Sequence, residues 1–509
     1  MASSKKKILS VVVEDESGII PAGTGLYVAD PLSDPANARS LVIDPSISVE
    51  LETEDSNAVN ETFTPLRADI GRKTVNKTFG IQLKGTKLGT YAAGVPDSFK
   101  ILKACMFKQV TGDLLAISGA FDATTPGTTD APFRHGELIE GATSGATARI
   151  CHDTHNGMTQ FVIYDRVGTF TPTETVEGLS TGAKCTVGAT TTNRHYTLFP
   201  ASGVLKSVAV SALAGDVTRG SLLRGQTSGA SGIVQTTALT GATVIYYKPA
   251  GGTFDGAEAL DLIGPDTPAT GVATTTADPV FVQGQTVATR LYEDGLTTTA
   301  VGMQGNVTID FTVSKPVVLN FDIRGGYEDS DDRPDIEGID YDYRVAPAWE
   351  DAVCAIATNE DASTDSTAEE VNVCITSLSI DLGNSLSDRL CASAAGGVAG
   401  TTITERAGTI TMDPEAQYES EFPWAGNLYG GLISRFRTTV GSADGNRFLF
   451  TMPGIQATSA GHTDRDGILA IDFQGNLTGG NNWNLNGSAV DISSTGGNNE
   501  VVMTYFTTA

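Results

Sequence analysis

Aromatic residues make up only 7% of the 509 residues, and just five histidines are scattered along the chain. No nucleophile elbow, P-loop or dinucleotide fingerprint occurs, so an enzyme has little support. The six cysteines (Cys105, Cys151, Cys185, Cys354, Cys374, Cys391) include no CxxC pair, which argues against a zinc knuckle. Cys151 and Cys185 lie in one small region and could meet, but free buried thiols are the expectation for a cytosolic product. Basic residues are outnumbered 33 to 60, a net charge of −27, and they cluster only at Lys5-Lys6-Lys7. That balance argues against a tight nucleic-acid binder, and solubility alone would explain it. No run approaches the roughly 18 consecutive apolar residues of a membrane span. The opening MASSKKKILSVVVEDES has a basic tip but too short an apolar run for a signal peptide. The chain is therefore expected to be cytoplasmic when made.

What the chain does have is glycine, 57 residues of it, and repeated alternation of apolar with polar side chains. Its length suggests two or more domains. Ser377-Leu378-Ser379-Ile380-Asp381-Leu382 has the period of a half-buried strand, with Leu378, Ile380 and Leu382 on one face. Ser46-Ile47-Ser48-Val49-Glu50-Leu51 has the same pattern 331 residues earlier (377 − 46 = 331). A second pair follows: Leu319, Phe321 and Ile323 alternate with Asn320, Asp322 and Arg324, as Leu469, Ile471 and Phe473 do with Asp472 and Gln474. The reading is an all-β chain with minor α: two tandem β domains, 1–345 and 371–509, each with a short helix. The first helix is expected to start at Pro96-Asp97-Ser98 and to share Phe99, Leu102 and Met106 on one face. The second is expected after Asp413-Pro414, through Tyr418, Phe422 and Trp424, with Pro423 interrupting it. Residues 346–370 read as a polar linker.

From 136 onward the texture changes. Gly136-Glu137-Leu138-Ile139-Glu140-Gly141-Ala142-Thr143-Ser144-Gly145-Ala146 recurs at Gly220–Ala230, an offset of 84 (220 − 136 = 84). Gly168-Thr169-Phe170 and Glu174 match Gly252-Thr253-Phe254 and Glu258 at the same offset. This is an internal repeat, read as two small β modules, 131–190 and 215–280, inserted in loops of the first domain. Two clusters offer metal-ligating side chains. The acidic run Glu328, Asp329, Asp331, Asp332, Asp335, Glu337, Asp340 and Asp342 could suit calcium, but Pro334 stands where an EF-hand loop turns on glycine, so a solvated loop is favoured. His152 and His155 lack a third ligand nearby and read as loop residues. No cofactor is expected.

The order of several stretches resembles a known family, the major tail tube proteins of long-tailed phages. The stretches are Lys7-Ile8-Leu9 to Gly18-Ile19-Ile20-Pro21, Thr376–Asn384, Glu405–Pro414, Asp466-Gly467-Ile468-Leu469 and Asn499–Phe506. The resemblance covers most of 5–110, 196–211, 284–345 and 371–509, and the two modules depart from it. It implies β-sandwich or barrel domains that stack in rings as a hollow tube for genome DNA, with no catalytic residues. It also implies a siphovirus-like virion tail assembled in the host cytoplasm. The partners implied are further copies of the chain and the tape-measure, tail terminator and tail-tip proteins, with DNA passing through unbound and no membrane. A Gly/Thr-rich adhesin or receptor-binding protein is the alternative.

Two equivalent domains per chain suit a ring of three chains with pseudo-sixfold symmetry. The modules are expected to project outward as knobs. Glu50 matches Asp381 at the offset of 331, and Asp322 matches Asp472 at 150 (472 − 322 = 150). These four acids, on the face opposite the apolar alternation, are the candidates for lining the channel.

Overall fold

The computed structural model describes residues 7–14, 20–21, 27, 29–54, 69–86, 95–118, 133–155, 158–179, 183–200, 205–218, 220–234, 238, 240–263, 269–277, 280–283, 285–341, 345–359, 370–392, 394–443, 445–478, 484–485, 488–489 and 500–507. The first domain starts with β1 (Lys7–Val13), β2 (Val42–Glu54), β3 (Asp69–Gln82) and α1 (Ser98–Ala104). The first module uses β4 (Phe107–Ile117), β5 (Leu138–Gly141), β6 (Thr147–Ile150), β7 (Gln160–Val167), β8 (Thr175–Gly178) and β9 (Lys184–Pro200). The second uses β10 (Leu205–Ala209), β11 (Leu222–Gly225), β12 (Ser231–Val234), β13 (Val244–Gly251), β14 (Ala259–Ile263), β15 (Ala269–Thr274) and β16 (Val280–Gln283). The first domain resumes with β17 (Val287–Glu293), β18 (Leu296–Thr312) and β19 (Val318–Asp332). The second domain holds β20 (Cys354–Asn359), β21 (Val371–Asn372), β22 (Ser377–Asp381), β23 (Asn384–Leu390), β24 (Val398–Arg406), β25 (Thr409–Met412), α2 (Trp424–Gly430), β26 (Ile433–Val440), β27 (Arg447–Arg465) and β28 (Ile468–Leu477). A small hairpin of β29 (Asn484–Leu485) and β30 (Ser488–Ala489) precedes the last strand, β31 (Val502–Phe506). The chain is mostly β with minor α.

The two halves have one topology. In the first, antiparallel strands run β1–β17–β18–β19–β3–β2; in the second they run β20–β26–β27–β28–β25–β22. Local chemistry sets the turns. Asp294-Gly295 and Asp466-Gly467 close the β17–β18 and β27–β28 hairpins with φ positive at both residues, 52 and 94, and 53 and 85 degrees. Two positive φ angles in a two-residue loop match the right-handed twist of the flanking strands. A single continuous core runs through both halves, from Leu9, Phe79 and Leu319 to Ile380, Phe450 and Tyr505. Helix α1 buries Phe99, Ile101 and Leu102 in it. Helix α2 is shorter than expected: Pro423 does not interrupt it but stands at its start, where a missing N–H costs nothing.

Two further expectations need correcting. Residues 346–370 are not simply a linker, because β20 lies within them and pairs with β26; Ile356 and Ala357 are fully buried there, and burial drew a short apolar run into the sheet. Residues 360–369 lie outside the described residues. The first module is also not a detached knob bounded by 131–190. It includes β4, and β9 pairs with the C-terminal strand β31, which pairs in turn with β27 of the second domain. Its Val110, Val162 and Phe199 pack with Leu449, Val502 and Phe506. None of the six cysteines, all among the described residues, is in a disulfide.

The repeat of 84 residues is a repeat of structure. Strand order β8–β5–β6–β7–β4 in the first module matches β14–β11–β12–β13–β10 in the second. Its shared motif is a carboxylate staple. Glu174 accepts from the backbone N–H of Thr143 (3.0 Å), Ser144 (2.8 Å) and Thr171 (2.6 Å) and from the Ser144 hydroxyl (2.7 Å). Glu258 does the same with Thr227 (3.1 Å), Ser228 (3.0 Å) and Asp255 (2.6 Å), and with the Ser228 hydroxyl. Burial alone would raise the pKa of each glutamate, but these donors outweigh it and hold both below the usual carboxylate range. Gly141 and Gly225 are required beside the staple, since a Cβ would stand 2.7 and 2.4 Å from the glutamate oxygens. Glu258→Ala leaves those backbone donors unpaired. It is expected to cost the second module about 2–4 kcal/mol, read as faster amide exchange at β11 and β12 while the host domains stay protected.

Candidate functional site

The two halves meet in one sheet. β18 of the first pairs with β22 of the second, Thr308 opposite Asp381 and Phe311 opposite Leu378. The result is a continuous run of eight antiparallel strands, β2–β3–β19–β18–β22–β25–β28–β27. By the internal duplication, β2 is the counterpart of β22, and the Ala457–Arg465 part of β27 contains the counterpart of the joined part of β18. Among the described residues, β2 pairs only with β3, and Ala457–Arg465 only with β28. The sheet therefore ends in the same two kinds of edge that are joined at its middle.

Burial follows that rule. At the join, Leu378, Ile380 and Leu382 are buried to 0–1% exposure. Of their counterparts on β2, Ile47 is half-buried against the core, while Val49 and Leu51 are 44% and 52% exposed, although the alternation predicts an inward face for them. Leu319 beside the join is fully buried, while its counterpart Leu469 is 56% exposed. These uncovered residues carry no signal of their own in the sequence; only comparison of the two copies in three dimensions marks them. Unpaired N–H and C=O rows beside uncovered aliphatic side chains are a template for another strand.

No family model and no curated protein matches this chain. Its functional reading therefore rests on this geometry and on the motif order of the sequence.

The polar face of the same sheet carries all four candidate acids. Glu50 on β2, Asp322 on β19 and Asp472 on β28 are exposed, and Asp381 on β22 is half-buried. Pleating directs them away from the core because Phe321, Ile323, Ile380, Ile471 and Phe473 take the other face. Short polar side chains fill the rows between. Asn76 donates to Glu50 (2.9 Å), Asn306 to Asp381 (2.6 Å), and Asn320 and Ser379 both to Asp310 (2.6 Å each). Arginines on this face are tied to acids: Arg324 to Asp388 (3.0 Å), Arg72 to Asp388 (3.3 Å) and Arg465 to Glu415 (2.7 Å). The face is thus acidic and densely hydroxylated.

The acidic run and the histidine pair resolve into ordinary contacts. Asp329 and Asp331 pair with Arg333, which also reaches Asp30 (2.8 Å), and Asp335 accepts from the Gly295 N–H. Asp342 lies outside the described residues. His152 is buried against Phe506, with its Nδ1 toward the Asp153 carbonyl. Among the described residues no group of three possible ligands gathers.

His152 and His135 sit at the joint of the first module with the second domain, and His135 packs 4.5 Å from Phe199. Burial pushes both down to about 4. The unfolded chain, with histidines near 6.5, binds more protons than the folded one between those values, so stability falls as pH drops from 6.5 to 4. Double replacement by phenylalanine is expected to flatten that slope of melting temperature against pH; an unchanged slope would clear the histidines of it.

Proposed function

We propose that this chain is the subunit of a phage tail tube, three copies closing into a pseudo-sixfold ring and rings stacking into a conduit for genome DNA. The observation that carries the reading is the internal β18–β22 join, together with its two unpaired counterparts at the ends of the same sheet. Joining β27 of one copy to β2 of the next repeats a contact the chain already makes within itself, and three repeats close the circle. Closure satisfies both edges and covers Val49, Leu51 and Leu469. The polar face then lines the channel, and the modules hang from the other side of the host domains. The tape-measure and tail terminator proteins would meet the inside and the end of such a tube.

Electron microscopy of the purified protein tests this. Hollow tubes or rings of three chains are expected. Rings of six chains, twelve halves around one lumen, would contradict the symmetry. Dispersed monomers or solid fibres would favour an adhesin instead.

A further inference from the structure

The cleft between the two modules holds charges that the module fold does not need. Leu138, Thr147, Arg149, Asp165 and Arg166 line it from the first module, and Tyr246 from the second. At the offset of 84, the second module has Ile233, Lys248, Pro249 and Ala250 where the first has Arg149, Tyr164, Asp165 and Arg166. The same strand order forms with or without the polar set.

Two buried donors stand behind this cleft without a hydrogen-bond partner: the Lys108 Nζ on β4 and the Tyr164 hydroxyl on β7. Lys108 is fully buried and Tyr164 is 2% exposed. The ammonium lies 3.7 Å over the Tyr246 ring centroid and 5.6 Å from that of Phe199, so aromatic faces are what surround it. The charged and titratable groups facing it are Arg149 on β6, Asp165 on β7 and His135. Tyr246 donates its hydroxyl to Asp165 (3.3 Å), and Arg166 pairs with Asp113 (3.0 Å). A buried ammonium with no acceptor is costly, and an anion is the partner that would satisfy it.

We propose that this cleft binds one small carboxylate, accepting from Lys108 Nζ and the Tyr164 hydroxyl, with Tyr246 as its aromatic wall and gate. Charge selects a monoanion. Lys108, Arg149 and Arg166 stand against Asp113 and Asp165, an excess of one positive charge, whereas a phosphate dianion would leave a carboxylate opposed. The carboxylate belongs either to a free organic acid or to an acidic sugar of a polysaccharide. This inference does not depend on tube assembly.

Calorimetric titration of the full-length protein at pH 7 with sodium glucuronate, sodium acetate and glucose is the test. Glucuronate is expected to bind saturably at one site per chain and glucose to give no heat. Acetate binding as well as glucuronate would identify a site for the bare carboxylate; acetate binding much more weakly would identify a sugar-acid site. Lys108→Met should weaken binding at least tenfold. It replaces an unpaired buried charge with an apolar chain, which favours folding. If that variant fails to fold, Tyr164→Phe, which removes only a hydroxyl, should weaken binding several-fold. No saturable binding of either carboxylate up to about 10 mM, well into the weak range for a specific ligand, would overturn the proposal. So would binding that neither substitution changes.

Discussion

Leu51→Asp combined with Val49→Asp is expected to give a folded monomer that forms no rings. Both side chains lie on β2, where Leu51 is 52% and Val49 44% exposed in the single chain. Their counterparts Ile380 and Leu382 lie fully buried at the internal join. Burying an aliphatic side chain of this size is worth about 1.5–3 kcal/mol, so each ring contact would lose several kcal/mol of apolar burial. Two desolvated carboxylates at the same contact add a further penalty. Three contacts per ring multiply the effect, and assembly should fall by orders of magnitude. The monomer should hardly notice, since these residues contribute little to the intrachain core. The readouts are sedimentation and melting temperature. A matched pair, Ile380→Asp with Leu382→Asp, should instead prevent folding, because the same positions are there interior. Wild-type assembly by the β2 variant would remove β2 from the ring contact.

The contrast between those two pairs marks the limit of what periodicity can say. Alternation identified β2, β19, β22 and β28 as strands and assigned one face of each to an apolar environment, because a period of two leaves no other reading. It could not say whether that environment is the chain's own core, as for Ile380, or a surface awaiting another copy, as for Val49. The Asp-Gly turns at 294–295 and 466–467 were legible as hairpins in principle, since their chemistry is local. β20 was missed because its short apolar run lies beside a long polar stretch. The annexing of the first module was missed because β9 pairs with β31 some 300 residues later, Tyr196 opposite Tyr505, and no local pattern encodes such a partner. The cleft charges were invisible for a related reason: Lys108 and Tyr246 are far apart in sequence and meet only through the docking of two modules.

Replacing Glu50, Asp322, Asp381 and Asp472 together by lysine is expected to leave rings intact and to slow DNA passage about tenfold at low salt. DNA carries one negative charge per roughly 1.7 Å of axis, so a basic wall would hold the duplex while an acidic one keeps it centred. The substitutions change the wall by eight charges per chain, two at each of four sites. They lie on the polar face, where Glu50, Asp322 and Asp472 are exposed, so no core contact is lost. Glu50 loses its contacts to Asn76 and Arg324 at an exposed site, but Asp381 is half-buried: it accepts from Asn306 and from the Gly383 N–H (2.9 Å), and Gly383 bends the chain from β22 into β23 with φ 59 degrees. Lysine there removes two acceptor contacts, a cost of about 1–3 kcal/mol. Asp381→Asn, which keeps an acceptor, separates that local damage from the charge effect. The slowing should fade as ionic strength rises, because the screening length shrinks from about 30 Å at 0.01 M to about 3 Å at 1 M. Fourfold reversal with unchanged ejection at every salt concentration would mean that these acids stand outside the path of the DNA. Slowing that persists undiminished at high salt would point to altered channel shape rather than charge.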